Sequence, residues 1–261
     1  MARIPNWVVV PISTLLLLLL TFPPPSHSET EDVRLPLLQF MKFLTRGRTI
    51  PLPNFGWNET SDPCSWTGVT CDSESRIVAI FLQGLGLSGH LETRGLCSAQ
   101  LSLRVLVLTN NSLVGPLQPE IANCANLTHL FLGGNQLQGP VPGSLPLLTK
   151  LRRLVIADNS FDGALPRGMW GKMSSLVEFR ADNNRIGGEL PGDLAMPNLL
   201  GRMAWFDVSN NRLVGQIPSG FANFSASSFA GNPGLCGPPL SVACSPASAA
   251  SPAPGPSNHG N

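Results

Sequence analysis

Residues 127–135 read Leu127-Thr128-His129-Leu130-Phe131-Leu132-Gly133-Gly134-Asn135, and Gly139 follows four positions after the asparagine. The same phase returns along the chain. Asn111, Asn135, Asn159, Asn184 and Asn211 each precede a glycine by four positions, at Gly115, Gly139, Gly163, Gly188 and Gly215. The asparagines are spaced by 24, 24, 25 and 27 residues. An earlier unit, Ile80-Phe81-Leu82 to Gly89, carries Leu85 at the asparagine position and brings the number of units to six. A short strand alternates its side chains, so Leu130 and Leu132 are expected in the core and Phe131 on the outer face. The asparagine stands where the chain turns inward. Its amide can there serve backbone groups that no strand partner satisfies. One unit cannot enclose its own leucines, so neighbours must stack into a continuous core. The leucines and asparagines are therefore scaffold.

This period and pattern match the leucine-rich-repeat signature. After the glycines come Val141-Pro142, Leu165-Pro166, Leu190-Pro191 and Ile217-Pro218, so most units read Leu-x-Gly-x-Ile/Leu/Val-Pro. In this the sequence resembles the plant-specific leucine-rich repeats of receptor-like kinases and polygalacturonase-inhibiting proteins. The resemblance implies an α/β repeat solenoid: a superhelix with a parallel concave sheet, a second short sheet beside it, and disulfide caps at both ends. Gly115-Pro116-Leu117-Gln118 and Gly89-His90-Leu91-Glu92 depart from the proline pattern, so the second sheet is expected to weaken at that end.

The flanks resemble the caps of plant receptor ectodomains. Leu35 to Leu44 is an apolar, helix-like segment leading to Trp57-Asn58 and Ser61-Asp62-Pro63-Cys64-Ser65-Trp66-Thr67-Gly68-Val69-Thr70-Cys71. At the other end stands Phe229-Ala230-Gly231-Asn232-Pro233-Gly234-Leu235-Cys236-Gly237-Pro238-Pro239-Leu240. The resemblance implies that Cys64–Cys71 and Cys236–Cys244 close these caps, with Trp57 and Trp66 as packing residues. Cys97 and Cys124 lie 27 residues apart, about one repeat, which brings their backbones within reach of a third bond. The alternative is that Cys124, aligned with core leucines such as Leu148, is a small buried hydrophobe. The expected organisation is a leader at 1–28, an N-terminal cap at 29–75, six repeats at 76–220, a C-terminal cap at 221–245 and a Pro/Ser/Ala-rich tail at 246–261.

Composition agrees with an extracellular address. Arg3 precedes an apolar stretch ending in six leucines, then Pro23-Pro24-Pro25 and Ser26-His27-Ser28, the layout of a secretory signal peptide. A retained signal anchor is the alternative. Six cysteines suit an oxidising compartment, and the histidines lie too far from them in sequence for a zinc site. The four Asn-x-Ser/Thr sequons, at Asn58, Asn110, Asn126 and Asn223, are expected to carry N-glycans. Net charge is +1 and falls to zero without the leader, because Arg3 is the only charge in it. A neutral chain with no basic stripe is a poor nucleic-acid binder. No cofactor, metal site or catalytic constellation is expected: Gly-x-Ser-x-Gly, Walker, His-Glu-x-x-His and kinase signatures are all missing.

Function in repeat proteins resides on the extended concave surface. Aligned repeats give a middle column of Phe81, Val107, Phe131, Val155, Arg180 and Asp207. The column before it reads Ala79, Val105, His129, Arg153, Glu178 and Trp205, and the column after it Gln83, Thr109, Gly133, Ala157, Asp182 and Ser209. The candidate ligand-binding residues are Phe81, Val107, His129, Phe131, Arg153, Val155, Arg180 and Trp205. His129 is expected to be a concave-surface residue, with pH sensing as the alternative. Leu96-Cys97, Asn123-Cys124 and Leu127-Thr128-His129-Leu130 further resemble small receptor-like kinases with about six repeats and often an inactive kinase domain. In those proteins a linker, a membrane span and a kinase-like domain follow the C-terminal cap. The expectation is a binding ectodomain, in soluble, truncated or decoy form, for an extracellular peptide or another receptor ectodomain. The alternative is a free-standing secreted inhibitor of a cell-wall hydrolase.

Overall fold

The computed structural model describes residues 33–47, 55–94, 96–97, 102–192 and 203–245. The expected leader at 1–28 and tail at 246–261 lie outside these residues. Helix α1 (Arg34–Thr45) buries Leu37, Phe40, Met41 and Leu44, the i, i+3, i+4, i+7 face of an amphipathic helix. Its last carbonyls lack helical donors, as at any helix end. The first repeat supplies two: the Gly89 amide donates to Leu44 O (2.8 Å) and the His90 amide to Phe43 O (3.2 Å). Gly89 sits so close to the Phe43 and Leu44 backbone that a Cβ there would overlap it.

The strands are short and alternate between two layers. In chain order they are β1 (Val69–Cys71), β2 (Ile77–Phe81), β3 (Val105–Val107), β4 (Val114–Gly115), β5 (His129–Phe131), β6 (Gln136–Pro140) and β7 (Arg153–Val155). The C-terminal half adds β8 (Ser160–Asp162), β9 (Glu178–Arg180), β10 (Gly187–Glu189), β11 (Trp205–Asp207), β12 (Arg212–Gln216) and β13 (Gly234–Cys236). The first sheet runs β1-β2-β3-β5-β7-β9-β11. Its six repeat strands are parallel, and β1 adds antiparallel to β2. The neighbouring layer consists of β4-β6-β8 and β10-β12-β13. In the first repeat this layer shrinks to a single bridge, His90 to Val114, where the proline pattern is also lost.

Leu130 and Leu132 are fully buried, in the orientation expected from alternation. They belong to one apolar core that runs from Leu37 in α1 to Leu235 in β13. The asparagines form a ladder beside it. Asn135 Oδ1 accepts the Leu113 amide of the preceding repeat (3.0 Å), while its Nδ2 donates to Leu108 O (3.0 Å) and Leu132 O (2.9 Å). Asn111, Asn159, Asn184 and Asn211 repeat this geometry. Asn232 in the C-terminal cap adds a rung of the same kind, to the Leu213 amide, Val208 O and Phe229 O. Cys64–Cys71 and Cys236–Cys244 are bonded in the two caps, and Cys97–Cys124 forms a third disulfide with Cα atoms 4.7 Å apart. Trp57 packs on Trp66 with ring centroids 4.8 Å apart.

Two expectations about the outer face need correction. Ala79, placed on the open face by alternation, is buried. It lies between Thr70 of β1 and Val105 of β3, so β1 turns the first repeat strand into an interior one. The column after the middle one also closes over, with Gly133, Ala157 and Asp182 all buried. A Cβ on Gly133 would already stand 3.4 Å from Val155 Cγ1 and 3.3 Å from Ala157 O. Along β5, β7 and β9 the open part of the sheet is therefore two columns wide, while Gln83 is exposed and Thr109 and Ser209 are half-buried at the two ends of the third column.

Candidate functional site

Parallel pairing without a register shift sets Phe81, Val107, Phe131 and Val155 side by side on four adjacent strands. At about 4.8 Å per strand this stripe is roughly 14 Å long. Phe81 is exposed, and Val107, Phe131 and Val155 are half-buried. Arg180 and Asp207 continue the column on β9 and β11. The flanking column sets Val105, His129, Arg153, Glu178 and Trp205 in the same register. All eight candidate binding residues therefore lie on one continuous surface. Trp205 stands out on it, since 65% of its surface is open to solvent.

His129 is held on both sides. Its ring stacks on Phe131 with centroids 6.0 Å apart. The Thr128 hydroxyl donates its one proton to Arg104 O (2.9 Å) and lies 2.8 Å from His129 Nδ1. Partial burial, then the charges of Arg153 and Arg152, hold the imidazole below the ordinary histidine range against the opposing pull of Glu178.

The C-terminal half of the face is polar. Arg153 pairs with Glu178 at 3.5 Å, and Arg180 reaches Asp182 at 3.4 Å. Asn183 Nδ2 bridges Asp158 Oδ1 (2.8 Å) and Asp182 Oδ2 (3.2 Å). Asp182 Oδ1 is buried without a hydrogen bond. Burial pushes the Asp182 carboxyl above the usual aspartate range; Arg180 pulls it down, while Asp207 and Asp158 add to the rise. A folded pKa above the unfolded one gives stability that is complete below the unfolded value and is lost as pH rises through the folded value. Asp182→Asn should therefore gain stability relative to the parent as pH rises from about 4 towards neutrality. Thermal midpoints of both proteins across that range check it; parallel curves would contradict the assignment.

Two further residues of this surface were not singled out from the alignment of strands. Arg104 and Arg152 are exposed and stand one residue ahead of β3 and β7, on the rim where the strands begin. The signal was available, since both occupy the same repeat position as Thr128.

Comparison with known proteins agrees with this architecture. A leucine-rich-repeat N-terminal domain matches residues 34–72, and leucine-rich repeats match residues 102–124, 126–148 and 203–224. The chain is 36% identical over 218 residues to pollen receptor-like kinase 2 of Arabidopsis thaliana, across 84% of this chain and 31% of that protein. It thus spans about a third of the length of that relative. Among solved structures it is similar to a pollen receptor kinase 3, with a TM-score of 0.68 at 29% identity, covering 80% of this chain and 99% of that one. It is also similar to the Arabidopsis receptor kinase HAESA, solved in complex with the peptide hormone IDA and the co-receptor SERK1. That match has a TM-score of 0.55 at 26% identity and covers 74% of this chain and 36% of the other.

Proposed function

The chain is a leucine-rich-repeat module homologous to the ectodomains of plant receptor-like kinases, and from that premise we propose that its two-column face binds an extracellular peptide or another receptor ectodomain. The observation that carries this reading is a continuous row of side chains, from Phe81 to Trp205, that the fold leaves open and that its core does not use. A contiguous apolar patch of this kind is an interaction signal where scattered surface hydrophobics are not. HAESA, with the same repeat architecture, is recorded with a peptide hormone and a co-receptor. The module acts by binding and performs no chemistry of its own. Hydrolase inhibition is the weaker reading, because the matched relatives are receptor kinases.

The module works outside the cell, delivered by the leader at 1–28 and braced by three disulfides. Asn58, Asn110, Asn126 and Asn223 are all exposed and carry carbohydrate; glycopeptide mapping that found all four bare would remove this part of the reading.

The test uses a partner retrieved from extracellular fluid with the glycosylated chain. Phe131→Ala and Trp205→Ala should each weaken that partner's binding by about 2 kcal/mol, the cost of losing an aromatic anchor from a desolvated contact. Their thermal midpoints should barely move, because neither side chain belongs to the core. If both variants bind as tightly as the parent, recognition lies on another surface.

A further inference from the structure

The repeat register builds a cluster of positive charge along one rim of the face. The Thr128 and His129 amides both donate to Arg104 O (2.8 and 3.0 Å), and the Arg152 and Arg153 amides both donate to Thr128 O (2.8 and 3.1 Å). Arg104, Thr128 and Arg152 are thereby set in one row. At about 4.8 Å per strand, the two arginine backbones are roughly 10 Å apart. Both side chains are exposed, and neither makes an ion pair among the described residues. Arg153 adds a third guanidinium that is half open to solvent and only loosely paired with Glu178. The carboxylates of Asp158 and Asp182 lie at the far ends of the strands, beyond the apolar stripe. His129 lies inside the cluster, where burial first and then the charges of Arg153 and Arg152 lower its pKa against the pull of Glu178.

Resting on the binding role proposed above, we infer that this rim receives an acidic segment of a peptide or protein partner, its carboxylates against Arg104 and Arg152 and its apolar side chains on Val107, Phe131 and Val155. Spacing supports an extended chain. In a polyproline-II segment, side chains i and i+3 share a face about 9.3 Å apart, close to the separation of the two arginines. A guanidinium is also the side chain best shaped to hold a carboxylate in a bidentate fork. An acidic polysaccharide fits less well. Sugar rings favour open aromatic faces, whereas the Phe131 ring between the two arginines is stacked on His129, and the open rings, Phe81 and Trp205, lie outside that span, one strand before Arg104 and two strands past Arg152.

The experiment measures fluorescence anisotropy of labelled poly-L-glutamate, and separately of labelled oligogalacturonate, with the glycosylated chain at low ionic strength. Polyglutamate should bind, and the double variant Arg104→Glu/Arg152→Glu should weaken it at least about tenfold. Arg167→Glu/Lys172→Glu, at two exposed basic residues outside the sheet, makes the same change in net charge and should leave binding unchanged. Unchanged thermal midpoints establish that the variants are folded. The inference is overturned if polyglutamate does not bind, if the double variant binds it as well as the parent does, or if only oligogalacturonate binding depends on the two arginines. The readout of partner binding by the Phe131 and Trp205 variants does not depend on any of these results, so the two readings fail separately.

Discussion

Asn135→Ala should destabilise the protein by about 3 kcal/mol, although the residue touches no partner. The magnitude follows from what each bond leaves behind. The Leu113 amide donates to Asn135 Oδ1 inside the core, and without that oxygen it is a buried orphan costing about 1–3 kcal/mol. The two carbonyls fare better. Leu108 O keeps Asn111 Nδ2 (2.9 Å) and Leu132 O keeps Asn159 Nδ2 (3.0 Å), so each loses one bond of two, worth about 1 kcal/mol or less. Asn135→Asp is the sharper variant. It preserves volume and the acceptor, but it presses a carboxylate oxygen against the Leu108 and Leu132 carbonyls where a donor stood. Desolvation and those carbonyls raise its folded pKa, so the lost stability should return as pH falls and the acid regains an O–H donor. Chemical denaturation of both variants at neutral and acid pH tests this. An Asp variant as stable as the parent at neutral pH would mean that the ladder is a bystander to the leucine core.

Much of this architecture is legible in the residues, because the repeat writes the same physical requirement several times. The asparagine–glycine phase locates the ladder from Asn111 to Asn211, and alternation around Leu130 separates core from face. Asn232 escaped the pattern. It comes only 21 residues after Asn211, and Cys236 stands where the glycine should be. The cap keeps the turn and shortens the repeat. The face was harder to read than the core, since alternation says which way a side chain points and nothing about what lies above it. Ala79 points outward and is covered by the antiparallel β1, a pairing that no repeat pattern encodes. Asp182 points outward too, yet it is closed in at a position where neighbouring repeats carry Ala157 and Gly133. Small residues at those positions were the available sign that the column has no room. The arginine rim was missed for a simpler reason: Arg104 and Arg152 share the repeat position of Thr128, but that position precedes the strands and lies outside the three aligned columns, and the Thr128 amide and carbonyl join the two.

The second large effect is expected at Phe206. In the C-terminal half, aromatic rings replace several of the leucines that fill the earlier repeats. Phe206 lies among Trp170, Phe179, Phe221, Phe224 and Phe229, with ring centroids 4.6–6.0 Å away, and only 4% of its surface is exposed. Such rings are too rigid to collapse far into a gap, so the cavity left by Phe206→Ala should remain largely open and cost about 3–5 kcal/mol. Its chain neighbour makes the comparison decisive. Trp205 is the larger residue but faces solvent, and Trp205→Ala should change stability by no more than about 0.5 kcal/mol while weakening partner binding. The Phe206 loss should also be local in its first effects. Repeats contact mainly their neighbours, so strain at β11 is transmitted to β12, β13 and the C-terminal cap sooner than to the N-terminal end. Hydrogen exchange should show lost protection at Val214 and Leu235 while Leu106 and Leu130 retain theirs. A uniform loss along the chain would indicate that the solenoid unfolds as one cooperative block. A loss below about 1 kcal/mol would mean that the aromatic cluster repacks around the gap, and the ring-to-ring contacts would then carry little of the stability assigned to them.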